Sequence, residues 1–278
     1  MKKRQILRWL GAAVVVGFGW IAYAYVTLPD VRPLADNNPA TSAFIELRVR
    51  EAHALGKPAK RVQRWMPYSR ISPHLKRAVL VAEDAAFWQH EGVDFDELQK
   101  AMELGFLRGA STITQQLAKN LYLSPSRNPV RKFRELIITR RLEAELEKAR
   151  IFEIYLNVIE WGDGIYGADA AARTYFGVPA SAVGPSQAAL MAAAIINPRL
   201  LNIAQPTPRL TRRQQLILRR MGTVTPPEQA SPVPHEPLAP QPPDQFTPLP
   251  GQTGDAPVDG SAAPLPLDET ASLPNPKR

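Results

Sequence analysis

Between Trp9 and Leu28 the chain runs for twenty residues without a charge, WLGAAVVVGFGWIAYAYVTL, directly after Lys2, Lys3, Arg4 and Arg8. A helix of that length spans about 30 Å, the thickness of a bilayer's hydrocarbon core. The sequence therefore predicts a transmembrane anchor at 9–28 behind a cytoplasmic basic leader at 1–8, with the body on the other side of the membrane. Trp9, Trp20, Tyr23 and Tyr25 suit the two interfaces. A cleaved signal peptide, favoured by the small residues Ala22 and Ala24, is the alternative reading. Its apolar core would normally run only about 7–15 residues.

Composition changes at the other end. Residues 223–278 hold 15 of the 28 prolines, seven acidic and two basic residues, and few large apolar side chains. Such a segment cannot bury enough surface to offset its ordering entropy, so a disordered proline-rich tail is expected there. The remainder carries 32 basic and 19 acidic residues, a net +13 against +8 for the whole chain. A body so basic suits nucleic acid, anionic lipid headgroups or a phosphorylated substrate, and composition does not choose among them. The lack of cysteine excludes a disulfide framework and a thiolate metal site. His53, His74, His90 and His235 lie too far apart in sequence for ordinary zinc spacing.

Between these ends, roughly 37–222, the pattern is helical. Phe133, Ile137, Leu142, Leu146, Ile151, Ile154, Tyr155 and Val158 recur mainly at three-to-five-residue intervals, predicting long amphipathic helices that break near Lys148. ADAAARTYFG and SQAALMAAAIINP are alanine-rich, which allows close helix packing, and end at Gly177 and before Pro198. Period-two alternation is scarce, so the fold class is mainly α.

Three stretches carry polar groups that packing does not explain. RGASTITQQLAKN crowds together Ser111, Thr112, Thr114, Gln115, Gln116 and Lys119. Ser and Thr suit a first helical turn. If the helix begins near Ser111, Gln115 and Lys119 share a face with Gln116 beside them, and a polar surface helix is the plain alternative. AEDAAFWQHEG sets Glu83 and Asp84 directly after apolar sequence. A carboxylate at the end of a buried helix has its pKa raised by desolvation and becomes a more capable base near neutral pH, unless the pair merely ends the helix in water. Glu135 stands among Arg127, Arg131, Lys132 and Arg134. Cations so dense repel one another unless they are solvated or hold an anion.

Taken together, E-D-x-x-F-x-x-H-x-G from Glu83, G-A-S-T-I-T-Q-Q-x-x-K-N from Gly109, R-K-x-x-E from Arg131 and I-x-E-x-Y-L-N from Ile151 resemble glycosyltransferase family 51, the peptidoglycan transglycosylases. W-G-D-G-I-Y-G-A-x-A-A-A-R-x-Y-F-G from Trp161 and Q-A-A-L-x-A-A-x-x-x-N-P from Gln187 extend the resemblance, which covers roughly 67–221. No S-x-x-K occurs, so the likeness is to the monofunctional branch without a transpeptidase. The segment between Gly92 and Gly109 looks short for the family, and the proline-rich tail is foreign to its pattern.

The resemblance implies a lysozyme-like transglycosylase domain at 29–222 with a small membrane-facing lobe, preceded by one transmembrane helix. It implies inverting β-1,4 transfer between lipid II and a lipid-linked nascent glycan, with release of undecaprenyl diphosphate, at the periplasmic face of the inner membrane. On this resemblance Glu83 is the base, and Lys119, Arg127, Arg131 and Lys132 face the diphosphate. Ser111, Gln115 and Gln116 donate hydrogen bonds to sugar or phosphate oxygens. Glu135 orients the cations, or a divalent cation, at the diphosphate; no other cofactor is implied. Implied partners are the two lipid-linked substrates, the inner membrane and other cell-wall synthesis or division proteins, with no nucleic acid. A lytic hydrolase would explain two carboxylates but leave the cations without a role. A membrane-tethered scaffold would be indifferent to loss of Glu83.

Overall fold

Three helix starts in this chain are written as a capping residue followed by proline. Ser72-Pro73, Asn128-Pro129 and Thr207-Pro208 each place a side-chain oxygen over free N–H groups and a residue with preset φ in the first turn. The structure, a computed structural model that describes residues 2–103, 111–126 and 128–223, is mainly helical. Its helices are α1 Lys2–Val26, α2 Ala43–Ala54, α3 Pro73–Glu83, α4 Phe95–Glu103 and α5 Ile113–Tyr122. They continue with α6 Pro129–Glu145, α7 Lys148–Val158, α8 Ala168–Phe176, α9 Pro185–Ala194 and α10 Pro208–Arg220. The expected break falls where Leu146 and Glu147 turn extended between α6 and α7. Gly177 ends α8 in the left-handed conformation.

Every residue of α7 from Ala149 to Val158 is buried, so this helix is the axis of the core. α5 packs along α6 and α7, while α3 packs along α9 and α10. The polar residues of α7 are consumed in stitching the chain to this axis. Arg150 pairs with Glu153 and donates to the carbonyls of Leu34 and Asn37, and Glu153 accepts the N–H of Tyr68. Asn157 both accepts from the N–H and donates to the carbonyl of Met66, at 2.8 and 2.9 Å.

Three short strands stand beside the end of α7, in the order β1 Val62–Gln63, β3 Ile165–Tyr166, β2 Glu160–Gly162. β1 runs parallel and β2 antiparallel to β3. Gly167 follows with φ +85, where a Cβ would come within 2.9 Å of the Asn157 carbonyl oxygen and 3.0 Å of that of Arg64. Only glycine lets the chain pass so close to the end of α7.

α1 covers most of the expected anchor. Among the described residues no helix is long and apolar enough to cross a membrane. The side chains of Trp20, Ile21, Ala24 and Tyr25, on which that expectation partly rests, lie outside the described residues. So does the tail beyond Thr223.

Candidate active site

Glu83 is the last residue of α3. The helix stops there because Asp84 takes φ −166 and turns its carboxylate away to the start of α5. Asp84 Oδ2 accepts the N–H of Ile113 at 2.9 Å, and its Oδ1 lies 3.0 Å from His90 Nε2. The Gly92 N–H donates to His90 Nδ1, so the network assigns the proton to Nε2, facing Asp84. Thr112 then donates to the Gly92 carbonyl at 2.7 Å and caps α5 by accepting the N–H of Gln115. Thus most of the polar residues around Glu83 in the two motifs form a brace that fixes α3 against α5.

Asp84, His90 and Asp94 bring one potential ligand atom each within 4.8 Å of one another. Asp84 is committed to Ile113 and His90, and Asp94 Oδ1 accepts the N–H of Glu97. The cluster is accounted for as structure.

The brace delivers Gln116 to Glu83. Gln116 Nε2 donates to Glu83 Oε2 at 2.9 Å, and Tyr155 of α7 donates to Gln116 Oε1 at 3.0 Å, which sets the orientation of the amide. Glu83 Oε1 is buried and has no hydrogen-bond partner among the described residues. The nearest paired cation is Arg213 of α10, whose Nη2 stands 3.6 Å away. Burial pushes the Glu83 carboxyl up from the ordinary carboxylate range, against the pull of Gln116, Arg213 and Lys119.

One turn beyond Gln116, Lys119 feels both Glu83 and Glu135 electrostatically. Burial pushes its ammonium down, and Arg131 and Lys132 press the same way while Glu135 opposes them. Glu135, 3% exposed on the inner side of α6, is paired with Arg131 and Lys132 from the preceding turn. Arg131 is further held by the Ser126 carbonyl. The result is a buried free carboxylate oxygen at one end and a bank of cations at the other, with Lys119 between them.

The structure thus gathers Glu83, Gln116, Lys119, Arg131, Lys132 and Glu135 around α5 and α6. Ser111 is exposed just before α5, and its carbonyl lies 3.4 Å from Gln116 Nε2. Gln115 goes elsewhere: it is buried, and its side-chain oxygen accepts the Thr112 N–H in a capping box. The cap uses its amide oxygen; the group expected to donate to substrate is its amide nitrogen. Arg127 lies outside the described residues. Tyr155 and Arg213 were not singled out as site residues from the sequence. Tyr155 sat inside a recognised motif, whereas Arg213 in TRRQQLILRR is indistinguishable from a solvated basic face.

A buried carboxyl with a raised pKa beside banked cations suits transfer from an anionic leaving group. Residues 50–222 match the family described as Transglycosylase. The chain is 48% identical over 193 residues to the biosynthetic peptidoglycan transglycosylase of Nitrosospira multiformis, covering 68% of this chain and 84% of that protein. Identity to the protein of the same name from Laribacter hongkongensis is 49% over 193 residues, covering 68% and 85%. The Chromobacterium violaceum protein of that name is 43% identical over 225 residues, covering 79% of this chain and 98% of its own length. The chain belongs to the transglycosylase family.

Proposed function

We propose that this protein polymerises the glycan strands of peptidoglycan, joining lipid II to a lipid-linked nascent glycan. The observation that carries this reading is the Glu83 carboxylate, one oxygen held by Gln116 and the other buried without a hydrogen-bond partner, set beside the Lys119, Arg131 and Lys132 cations. The acceptor hydroxyl of lipid II gives its proton to Glu83 Oε1 as its oxygen bonds to the anomeric carbon of the growing strand. The bond from that carbon to the diphosphate breaks, and its electron pair leaves with undecaprenyl diphosphate. Lys119, Arg131 and Lys132, with Arg127, stabilise the charge that develops there. An α-linked donor gives a β-1,4 link by one inverting displacement, with no covalent intermediate on the enzyme.

Glu135 holds Arg131 and Lys132 in place for that task. Each of its oxygens faces one of those two cations, which together form a cationic cradle for the diphosphate, and no step here uses a divalent ion.

The reading includes a lysozyme-like domain with a small lobe toward the membrane, and the exposed apolar side chains of Phe95, Met102, Val130 and Leu136 support it. Residues 9–28 act as a single inner-membrane anchor with the domain in the periplasm. Supporting it, Val14, Val15, Val16 and Phe18 of α1 stand 69–72% exposed, and Leu28, Val31 and Leu34 enter the core immediately afterwards. Both substrates carry lipid tails, so an anchor confines the search and holds the site at headgroup height. Purified full-length protein incubated with lipid II should yield glycan polymer on a gel. Fragments from finished peptidoglycan without polymer from lipid II would overturn the reading in favour of hydrolysis.

A further inference from the structure

The carboxylate of Glu83 is held asymmetrically. Gln116 and, behind it, Tyr155 occupy Oε2 with a well-formed hydrogen bond, while Arg213 approaches Oε1 only to 3.6 Å. Arg213 Nε is itself buried without a hydrogen-bond partner among the described residues, as is Glu83 Oε1. Two oppositely charged groups, Glu83 with an 11% exposed side chain and Arg213 with a 32% exposed one, stand close and leave their mutual hydrogen bond unmade. At that separation Coulomb attraction persists, because it falls only as the inverse of distance, whereas hydrogen bonding is essentially lost.

We infer that Arg213 is a positioning residue for the Glu83 base: it holds the carboxylate charged and aimed while leaving the Oε1 lone pair free for the acceptor's proton. This inference rests on the reading of Glu83 as base. A hydrogen bond to Oε1 would compete with the acceptor hydroxyl for the same lone pair, and a neutral neighbour would leave burial unopposed. An ion pair at this distance does neither. The groups that face Glu83 are Gln116 and Lys119 from α5, Arg213 from α10, and Asp84 on its own turn; Tyr155 of α7 stands behind Gln116. Of the two cations, Lys119 also answers to Glu135, Arg131 and Lys132 at the diphosphate end. Arg213 has Glu83 as its ion-pair partner among the described residues. Lys119 thus serves the leaving group and Arg213 serves the base.

The sign follows directly. Burial raises the Glu83 pKa and Arg213 lowers it, so removing Arg213 leaves less of the base ionised at a given pH. The test compares full-length wild type, Arg213→Gln, Arg213→Lys and Glu83→Gln on lipid II in detergent from pH 5 to pH 9, with thermal melts to confirm folding. Arg213→Gln should lower kcat at pH 7 by on the order of tenfold, with KM within about twofold and the acidic limb of the profile moved to higher pH. Its activity should approach wild type near pH 9, and Arg213→Lys should restore most of the loss at pH 7. An unmoved acidic limb, or a raised KM with unchanged kcat, would overturn the inference, the second marking Arg213 as a substrate-binding cation. Should Arg213→Gln fail to fold, the Arg213→Lys profile decides: an acidic limb at the wild-type position supports the inference, and loss of activity at all pH values sinks it. Glu83→Gln separates the two levels. If it stays active, the reading of the base fails; if it is inactive while Arg213→Gln keeps the wild-type profile, only the role of Arg213 fails.

Discussion

Burial acts on Glu83 twice, once on its chemistry and once on the stability of the fold. Desolvation raises its pKa in the folded protein above the unfolded value, so the stability linked to this group is present at acid pH and is lost as the pH rises through the folded pKa. Glu83→Gln keeps the shape, removes the titration and cannot accept the proton. Polymerisation of lipid II should fall to background, while Tm at pH 8 should rise by roughly 2–4 °C over wild type, a gap that closes toward pH 4. Differential scanning at the two pH values checks the second part, and a lower Tm at pH 8 would mean that the Arg213 and Gln116 contacts outweigh desolvation. Tyr155→Phe is a finer probe. It removes the donor that orients the Gln116 amide, a hydrogen bond worth about 1 kcal/mol, so kcat should drop by around fivefold and Tm by roughly 2–4 °C. Full activity in steady-state kinetics would show that Gln116 needs no such guide.

At the scale of elements, the site depends on how α3 meets α5, and Asp84 is the joint. Its carboxylate accepts the first N–H of α5 and faces His90, which accepts from Gly92, whose carbonyl accepts from the cap of α5. Gly92 adopts φ +85 and would place a Cβ 2.7 Å from Thr139 Cγ2 on α6, so the loop runs flush against that helix. Asp84→Ala strips a buried acceptor from two donors at once. It should cost about 2–3 kcal/mol in urea denaturation, with part recovered by Asp84→Asn. A loss under 0.5 kcal/mol would show that helix packing alone sets the joint.

At the scale of the molecule, the division of labour is between a basic catalytic body and its two ends. Deleting residues 223–278 should leave polymerisation in detergent within about twofold of wild type, because that segment brings seven acidic residues and 15 prolines but no group the site uses. Deleting residues 1–28 should spare activity in detergent and reduce it in liposomes by tenfold or more, since the tether's local concentration is lost. Comparing both deletions on lipid II in the two media checks them together. If loss of the tail abolishes activity in detergent, those residues take part in the fold or the site.

Much of the architecture is a matter of neighbours in sequence, and that part was legible. The periodic apolar faces, the break near Lys148 and the left-handed Gly177 act within one or two turns, so the sequence alone determines that helices form there and where they break or end. The ordered motifs likewise singled out Glu83, Gln116, Lys119 and Glu135. Tertiary structure alone decided what each one touches. Gln115 and Gln116 are neighbours in sequence, yet the oxygen of Gln115 caps the helix while the nitrogen of Gln116 holds Glu83, although the T-x-x-Q pattern of a capping box was there to be read. No local rule links Arg213 to Glu83, because α10 comes beside α3 only through the packing of α9 and α10 against it. Burial and charge pairing are properties of a place in the folded molecule, and that place is assembled from residues far apart in the chain.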